Sequence, residues 1–161
     1  MSNPNESQAD NDPVADHREA NEMLVLDRAQ CLRLLDAGNV GRIAVSVPGW
    51  DHPVIRPVNY VFDRASQSVL IRSGTGSKLY AVIRSAKAAF EIDGTDPVGR
   101  VGWSVIIHGT AEEITNPAEL RRIEGLGLDP WAPGRKGHWV RLRANVVSGR
   151  RIMASDETLP Q

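Results

Sequence analysis

The sequence predicts a mostly β fold, a small antiparallel barrel with short peripheral helices. Three observations carry this expectation. Segments of strand length alternate or run apolar at Val40–Val47, Val54–Phe62, Ser68–Arg72, Ala88–Asp93 and Gly102–Ile114. Three short helical patterns interrupt them without any regular β-α-β alternation, which argues against a doubly wound parallel sheet. Several strands also carry apolar groups on both faces, and only barrel closure or a second subunit buries both.

The chain of 161 residues, 41% apolar, suits one domain with a sizeable core. Residues 1–21 are rich in Asn, Asp, Glu and Ser and are expected to form a disordered acidic arm. Residues 22–154 form the folded domain, and 155–161 a flexible tail. The formal charge is −1 and cations are interspersed with acids, so no field along the sequence invites nucleic acid or an anionic membrane. No apolar run approaches the roughly 18 residues of a spanning helix, and the polar N-terminus lacks a signal peptide's apolar stretch, so a cytoplasmic location is expected. The single cysteine, Cys31, rules out an intrachain disulfide and reads as a small core residue rather than a reactive thiol.

Asp27 opens a helix, with Gln30 at capping-box distance and Gly38 as its stop. Leu32, Leu35 and either Cys31 or Leu34 make its buried face. The turn Pro48–Pro53 should return the Val40–Val47 strand as an antiparallel neighbour. Pro57 withholds a ladder donor, which places its part of the next strand at an edge or irregular point. After the turn Asp63–Gln67 come Ser68–Arg72, a helix from Ser77 to Ser85, and a strand ended by Gly94. Gly109 marks a bend or bulge in the longest strand. Asn116-Pro117-Ala118-Glu119 is a strong helix start, finished by Gly125 or Gly127. The stretches His138–Asn145 and Val146–Met153 make a last strand or a bent pair.

The stretch Arg72-Ser73-Gly74-Thr75-Gly76-Ser77-Lys78 has the chemistry of a phosphate site. A planar guanidinium, three hydroxyls, two glycines that admit backbone N–H groups and a helix start that carries Lys78 converge in seven residues. The spacing is not that of a nucleotide-triphosphatase loop. The plain alternative is a strand-turn-helix connection whose charges face water.

Other candidates are weaker. No histidine spacing announces a metal, and His108 reads by default as a packed, hydrogen-bonded strand residue. Glu91 and Asp93 share a strand face, for which opposing arginines are a more ordinary explanation than acid catalysis. Trp131 and Trp139 flank a Pro/Gly loop, either as a lid or interface anchor or, more plainly, as packing beneath it.

Taken in order, Gly41-Arg42-Ile43-Ala44, Pro57-Val58-Asn59-Tyr60, Arg72-Ser73-Gly74-Thr75-Gly76-Ser77-Lys78-Leu79, Phe90-Glu91-Ile92-Asp93 and Gly102-Trp103-Ser104-Val105 resemble the pyridoxamine-phosphate oxidase-like flavoprotein superfamily, with nitroimidazole reductase-like proteins as the nearest branch. The likeness spans about Asp27 to Ile152. It implies a six-stranded antiparallel split β-barrel, a homodimer, and an FMN site at each subunit interface. By that resemblance Pro57, Val58 and Asn59 flank the flavin ring. Arg72, Ser73, Thr75 and Lys78 surround its phosphate, and Trp103 and Ser104 approach from the other subunit or close the site. The basic C-terminal motif of true pyridoxamine-phosphate oxidases has only a partial echo in Arg141-Leu142-Arg143, so vitamin-phosphate oxidation is not expected. The implied activity passes reducing equivalents from NAD(P)H through FMN to a small organic acceptor. Alternatives are a deazaflavin-dependent reductase and a non-catalytic flavin-binding or sensing dimer.

Overall fold

The computed structural model describes residues 21–74, 87–131, 134 and 137–154. Eight strands are present among them: β1 (Glu22–Leu26), β2 (Val40–Val45), β3 (Val54–Asp63), β4 (Ser68–Ser73), β5 (Lys87–Asp96), β6 (Val101–Ile114), β7 (His138–Arg143) and β8 (Val146–Met153). They are joined by two helices, α1 (Arg28–Ala37) and α2 (Pro117–Glu124). The sheet order is β1-β8-β6-β5-β2-β3-β4-β7, and a further β6–β7 pairing joins the last strand back to β6. Six antiparallel strands, β6-β5-β2-β3-β4-β7, therefore close into a barrel, with β8 and β1 as a flap continuing from β6. This is the expected architecture. The arm at 1–20, the tail from 155, and the helix expected at Ser77–Ser85 lie outside the described residues.

Closure depends on a change of partner along one edge of β6. Its C-terminal part pairs with β7, from Ile114↔Trp139 to Ala111↔Leu142, and the preceding part pairs with β8, from His108↔Val146 to Gly102↔Ile152. Between Ala111 and His108 the β6 chain advances three residues while the opposite chain advances four from Leu142 to Val146. That one-residue slip is a bulge, and it sits beside Gly109, where the bend is expected. A Cβ on Gly109 would lie 3.1 Å from Leu142 Cδ1. The corner is tied down by Ala144 N–H donating to the Gln67 carbonyl and by the Arg28 guanidinium donating to the Ala144 carbonyl.

The alternation of apolar residues explains which face turns inward. Ile43 and Val45, Tyr60 and Phe62, Val69 and Ile71, Phe90 and Ile92, Val105 and Ile107, and Val140 and Leu142 are all buried and fill the barrel. Each fully buried side chain of this size contributes about 1.5–3 kcal/mol. Tyr60 meets Phe90 edge to face at 5.0 Å between ring centres.

Helix α1 covers the β8 side, with Cys31 and Leu35 fully buried and Leu32 and Leu34 half-buried. Its capping box is complete: Gln30 N–H donates to the Asp27 carboxylate, and the Gln30 side chain accepts from Asp27 N–H. Burial pushes the Cys31 thiol up, as suits a packed core sulfur. Helix α2 starts on Asn116, whose side chain accepts from Ala118 and Glu119 N–H, and ends at Gly125. Ile123 docks with Leu70, Ile114 and Trp139 in a second small core outside the barrel.

One sequence expectation is corrected, and one strand is added. Gly94 does not end β5, which runs on to Asp96. Gly94 instead leaves room for the Trp103 indole on the neighbouring strand, whose Nε1 would lie 2.7 Å from an added Cβ. Strand β1 had no expectation attached, because a five-residue segment between a polar arm and a helix is held by β8 rather than by its own pattern.

Candidate functional site

Strand β3 changes partner along its length, and none of its residues is paired on both sides. On one side it follows β2 from Val54 to Asn59, and on the other it meets β4 only from Tyr60↔Ile71 to Asp63↔Ser68. Among the described residues, the side of Val54–Asn59 away from β2 has no ladder partner. This is the split in the barrel. Pro57 lies within it, where a missing backbone donor is tolerated, as its chemistry predicts.

The two lips carry the expected residues. Pro57, Val58 and Asn59 line one, and Arg72 and Ser73, which follow the last β3–β4 pair, line the other. The fold thus brings together five of the sequence-predicted positions. Thr75 and Lys78 lie outside the described residues. Trp103 and Ser104 do not join this group within one chain: they are on β6, with β5 and β2 between them and β3. Trp103 packs over Gly94, and Ser104 sits opposite Asp93 and Arg150 on the outer face.

Each lip is braced. The Asn59 side-chain oxygen accepts from Trp131 N–H at 2.8 Å, which holds the loop after α2 beside the split. The Tyr60 hydroxyl donates to the Leu35 carbonyl at 2.7 Å, and Tyr60 N–H donates to the Asn39 carbonyl at 3.0 Å, fixing where β3 leaves its neighbour. Burial, followed by the nearby Asp36 charge, keeps that phenol protonated well above its usual range. On the other lip the Arg72 guanidinium stacks 5.2 Å from the Trp139 ring centre, and that indole is itself buried. Ser73 is buried and faces His138 across the β4–β7 ladder. His138 Nδ1 lies 2.8 Å from Glu113 Oε1.

The His138–Glu113 pair and the Trp131 tether are site features that the sequence reading missed. Glu113 and His138 are separated by a helix and an irregular loop, and only the β6–β7 register makes them neighbours. Of the two tryptophans flanking the loop, Trp139 is packing in the second core, whereas Trp131 is exposed.

Below the site, Asp63 at the end of β3 is 2% exposed and accepts from both terminal nitrogens of Arg122 on α2, at 3.0 and 2.6 Å. The Arg122 hydrogen bonds, with help from Ser66 and Ala65 N–H, hold its carboxyl down at about 2 against the desolvation that opposes them. This pair seats α2 and hence the loop that reaches Asn59.

The outer face of the barrel carries an open groove of about 550 Å³ lined by Ala44, Pro53, Lys87, Ala89, His108 and Thr110. His108 is exposed there, which corrects the expectation of a packed strand histidine. Glu91 and Asp93 both accept from Arg42, at 3.1 and 2.7 Å, so an arginine of the same chain accounts for the two acids. No cluster of metal-ligating side chains is present among the described residues, and no helix among them is long and apolar enough to cross a membrane.

The sequence model of the family described as pyridoxamine 5'-phosphate oxidase matches residues 27–151. The chain belongs to this family. An uncharacterized protein of Mycobacterium tuberculosis, Rv0080, is 32% identical over 149 residues, covering 89% of this chain and 95% of that one. Among solved structures, the FAD binding protein from Mycobacterium smegmatis is 32% identical with a TM-score of 0.70, covering 81% of this chain and 98% of its own. A putative pyridoxamine 5'-phosphate oxidase from Corynebacterium glutamicum is 27% identical with a TM-score of 0.67, covering 83% and 96%. The pyridoxamine 5'-phosphate oxidase family match starts at the α1 cap and ends in β8, so it takes in the six barrel strands and most of β8, while β1 precedes it.

Proposed function

We propose that this chain is a flavin-dependent oxidoreductase that passes reducing equivalents from NAD(P)H to a small organic acceptor, working as a homodimer and holding FMN at the split between β3 and β4. Assignment to the nitroimidazole reductase-like branch is part of the same reading. The observation that carries it is the split itself. The edge of Val54–Asn59 that faces away from β2, with no ladder partner among the described residues, faces an arginine and a buried serine at the end of β4, in a chain of this family.

The donor set fits the group. Peptide N–H and C=O groups of Val58 and Asn59 supply both kinds of partner that a flavin ring's polar edge needs, while a guanidinium suits a phosphate. When bound, a flavin supplies the hydride and electron transfer. The chain's own part is to bind and orient. Asn59 and Trp131 hold one lip, Trp139 supports Arg72 on the other, and no side chain is assigned as an acid or base. Exposed Ile55 and Val146 on the outer sheet face, with Met23 and Val25 on the flap, support a second copy covering that face; by the resemblance Trp103 and Ser104 would then approach from the other subunit or close the site.

The FAD binding protein of M. smegmatis, at 32% identity, favours FAD as a second reading. A deazaflavin is the remaining cofactor alternative, and a flavin-storing or sensing dimer the non-catalytic one. Native mass spectrometry of the purified protein reports subunit number and cofactor mass together. The expected result is a dimer with one flavin per chain, and Arg72→Ala should raise the Kd for added FMN at least about tenfold, as loss of a charge-assisted contact requires. A folded monomer that takes up none of FMN, FAD or deazaflavin in excess overturns the reading. A dimer that holds flavin without oxidising NAD(P)H selects the binding-protein alternative.

A further inference from the structure

The open groove of about 550 Å³ on the outer face of the barrel owes its shape to strand register. Ala44, Ala89 and His108 are successive partners across β2, β5 and β6, and Lys87 pairs with Thr110 two residues further along. Ser46 follows Val45, whose partner is Ala88, so it flanks Lys87 at the end of β2. Direct partners rise from the same side of a sheet, and Val45 and Ala88, which alternate with these residues, are buried inside the barrel.

Two alanines side by side therefore make a floor, with longer polar side chains standing around it. Neighbouring strands lie about 4.8 Å apart, so Ser46, Lys87 and Thr110 form a polar row about 10 Å wide along one side. His108 closes a second side. These four side chains are exposed, whereas the alanines are half-buried. At the opposite end of the floor Arg42 and Glu91 satisfy each other at 3.1 Å.

This frame offers an ammonium, an imidazole and two hydroxyls, and no carboxylate lines the groove. Among the described residues Lys87 and His108 form no ion pair, so neither has to leave a partner to meet a ligand. An ammonium is a compact charge whose three donors turn to suit, and the imidazole N–H and the hydroxyls add donors from separate directions. That set matches the oxygens of a tetrahedral group. Two coplanar carboxylate oxygens are the better match for a guanidinium fork, which the lining lacks.

We propose that the groove binds a small organic phosphate monoester, with Lys87 and His108 on the phosphoryl oxygens, Ser46 and Thr110 beside them, and the organic body lying over Ala44 and Ala89. The groove's volume falls within the roughly 300–1,000 Å³ of small-molecule sites. The row of Ala44, Ala89 and His108 ends in exposed Ile55 on β3 and Val146 on β8, so a second copy resting on those apolar ends leaves the depression between them to the ligand. None of the six residues belongs to the positions assigned to flavin, and occupation of the groove does not depend on the flavin reading.

The test uses the full chain, with phenyl phosphate as probe and benzoate as its planar counterpart. Binding is followed by calorimetry and by the His108 imidazole C–H resonance, assigned with His108→Gln. Phenyl phosphate should shift that resonance saturably, benzoate should bind at least about tenfold more weakly, and Lys87→Gln should weaken phenyl phosphate by about tenfold or more. Ala89→Leu, which fills the floor, should abolish the shift, and Arg72→Ala should leave it in place. Equal affinity for the two probes, an unaffected Lys87→Gln variant, or loss of phenyl phosphate binding in Arg72→Ala overturns the proposal. Dissociation of a dimer by phenyl phosphate also overturns it, by giving the groove to the subunit contact, as does weaker FMN binding in Lys87→Gln, by making the groove part of the flavin site. A chain that takes up no flavin still shows the phenyl phosphate shift, so the two readings fail separately.

Discussion

Removing the Asp63 charge tests how the end of β3 is anchored to α2. The Asp63→Asn side chain keeps its size but gives up the anion that receives both Arg122 nitrogens and the Ser66 hydroxyl. The carboxyl is held at about 2, against an ordinary 3.8. Since one pKa unit is worth about 1.4 kcal/mol, the folded state gains roughly 2.5 kcal/mol from having this group ionised. The Asp63 side chain is 3% exposed, so solvent screening does not erode that figure, although Arg122 at 43% turns partly to water once released. Because the folded value is depressed, the stabilisation is complete above about pH 4 and is lost as pH falls through 3.8 toward 2. Urea unfolding at pH 7 should therefore show the variant about 2–3 kcal/mol less stable with an unchanged m-value, and the thermal midpoint should fall by roughly 5–10 °C. Repeated between pH 5 and pH 2, the wild type should lose its advantage and the two curves converge. A variant within about 0.5 kcal/mol of wild type at pH 7, or a difference that persists undiminished at pH 2, refutes the reasoning.

Two further outcomes test the packing and the site. Gly41→Ala places a Cβ 2.3 Å from Phe90 Cζ and 2.8 Å from the Glu91 carbonyl, so it should cost about 1–3 kcal/mol by denaturant unfolding. Phe90→Leu in the same chain should recover part of the loss, because the ring can yield while the backbone cannot. Asn59→Ala removes the acceptor that holds Trp131 N–H, so hydrogen exchange of the Trp131 amide should accelerate, and bound flavin should dissociate faster with little change in global stability. An unchanged Trp131 amide would show that the loop is held by other contacts.

Local chemistry made part of this protein legible from residues alone. Asp27 with Gln30, and Asn116 with Pro117, fix helix starts because a cap satisfies its own nearby N–H groups. Pro57 announces a place with one ladder neighbour because it has no donor to give. The alternation of Ile43, Val45, Phe90 and Ile92 assigns the barrel's inner face because strand side chains repeat every two residues. The motif resemblance then placed Pro57–Asn59 and Arg72–Ser73 in one site, and the tertiary structure puts them on facing lips.

What the sequence could not supply is whatever depends on register between distant strands. The one-residue slip between Ala111↔Leu142 and His108↔Val146 turns a single bent strand into barrel wall and flap, and no local pattern encodes a partner change. The same cause hid the His138–Glu113 contact, the seat of Asp63 on Arg122 and the pairing of Trp103 with Arg151. Each joins residues whose separation along the chain is bridged only by the ladder. Gly94 was misread for a related reason: as a lone residue it resembles a strand's end, and only the indole across the ladder shows that it is the absence of a side chain. Composition, caps and periodicity settled which segments form and which face is apolar, since those follow from each residue and its near neighbours. Tertiary structure decided where the barrel opens and which polar groups line the opening, since hydrogen-bond register is a property of strand pairs rather than of one strand.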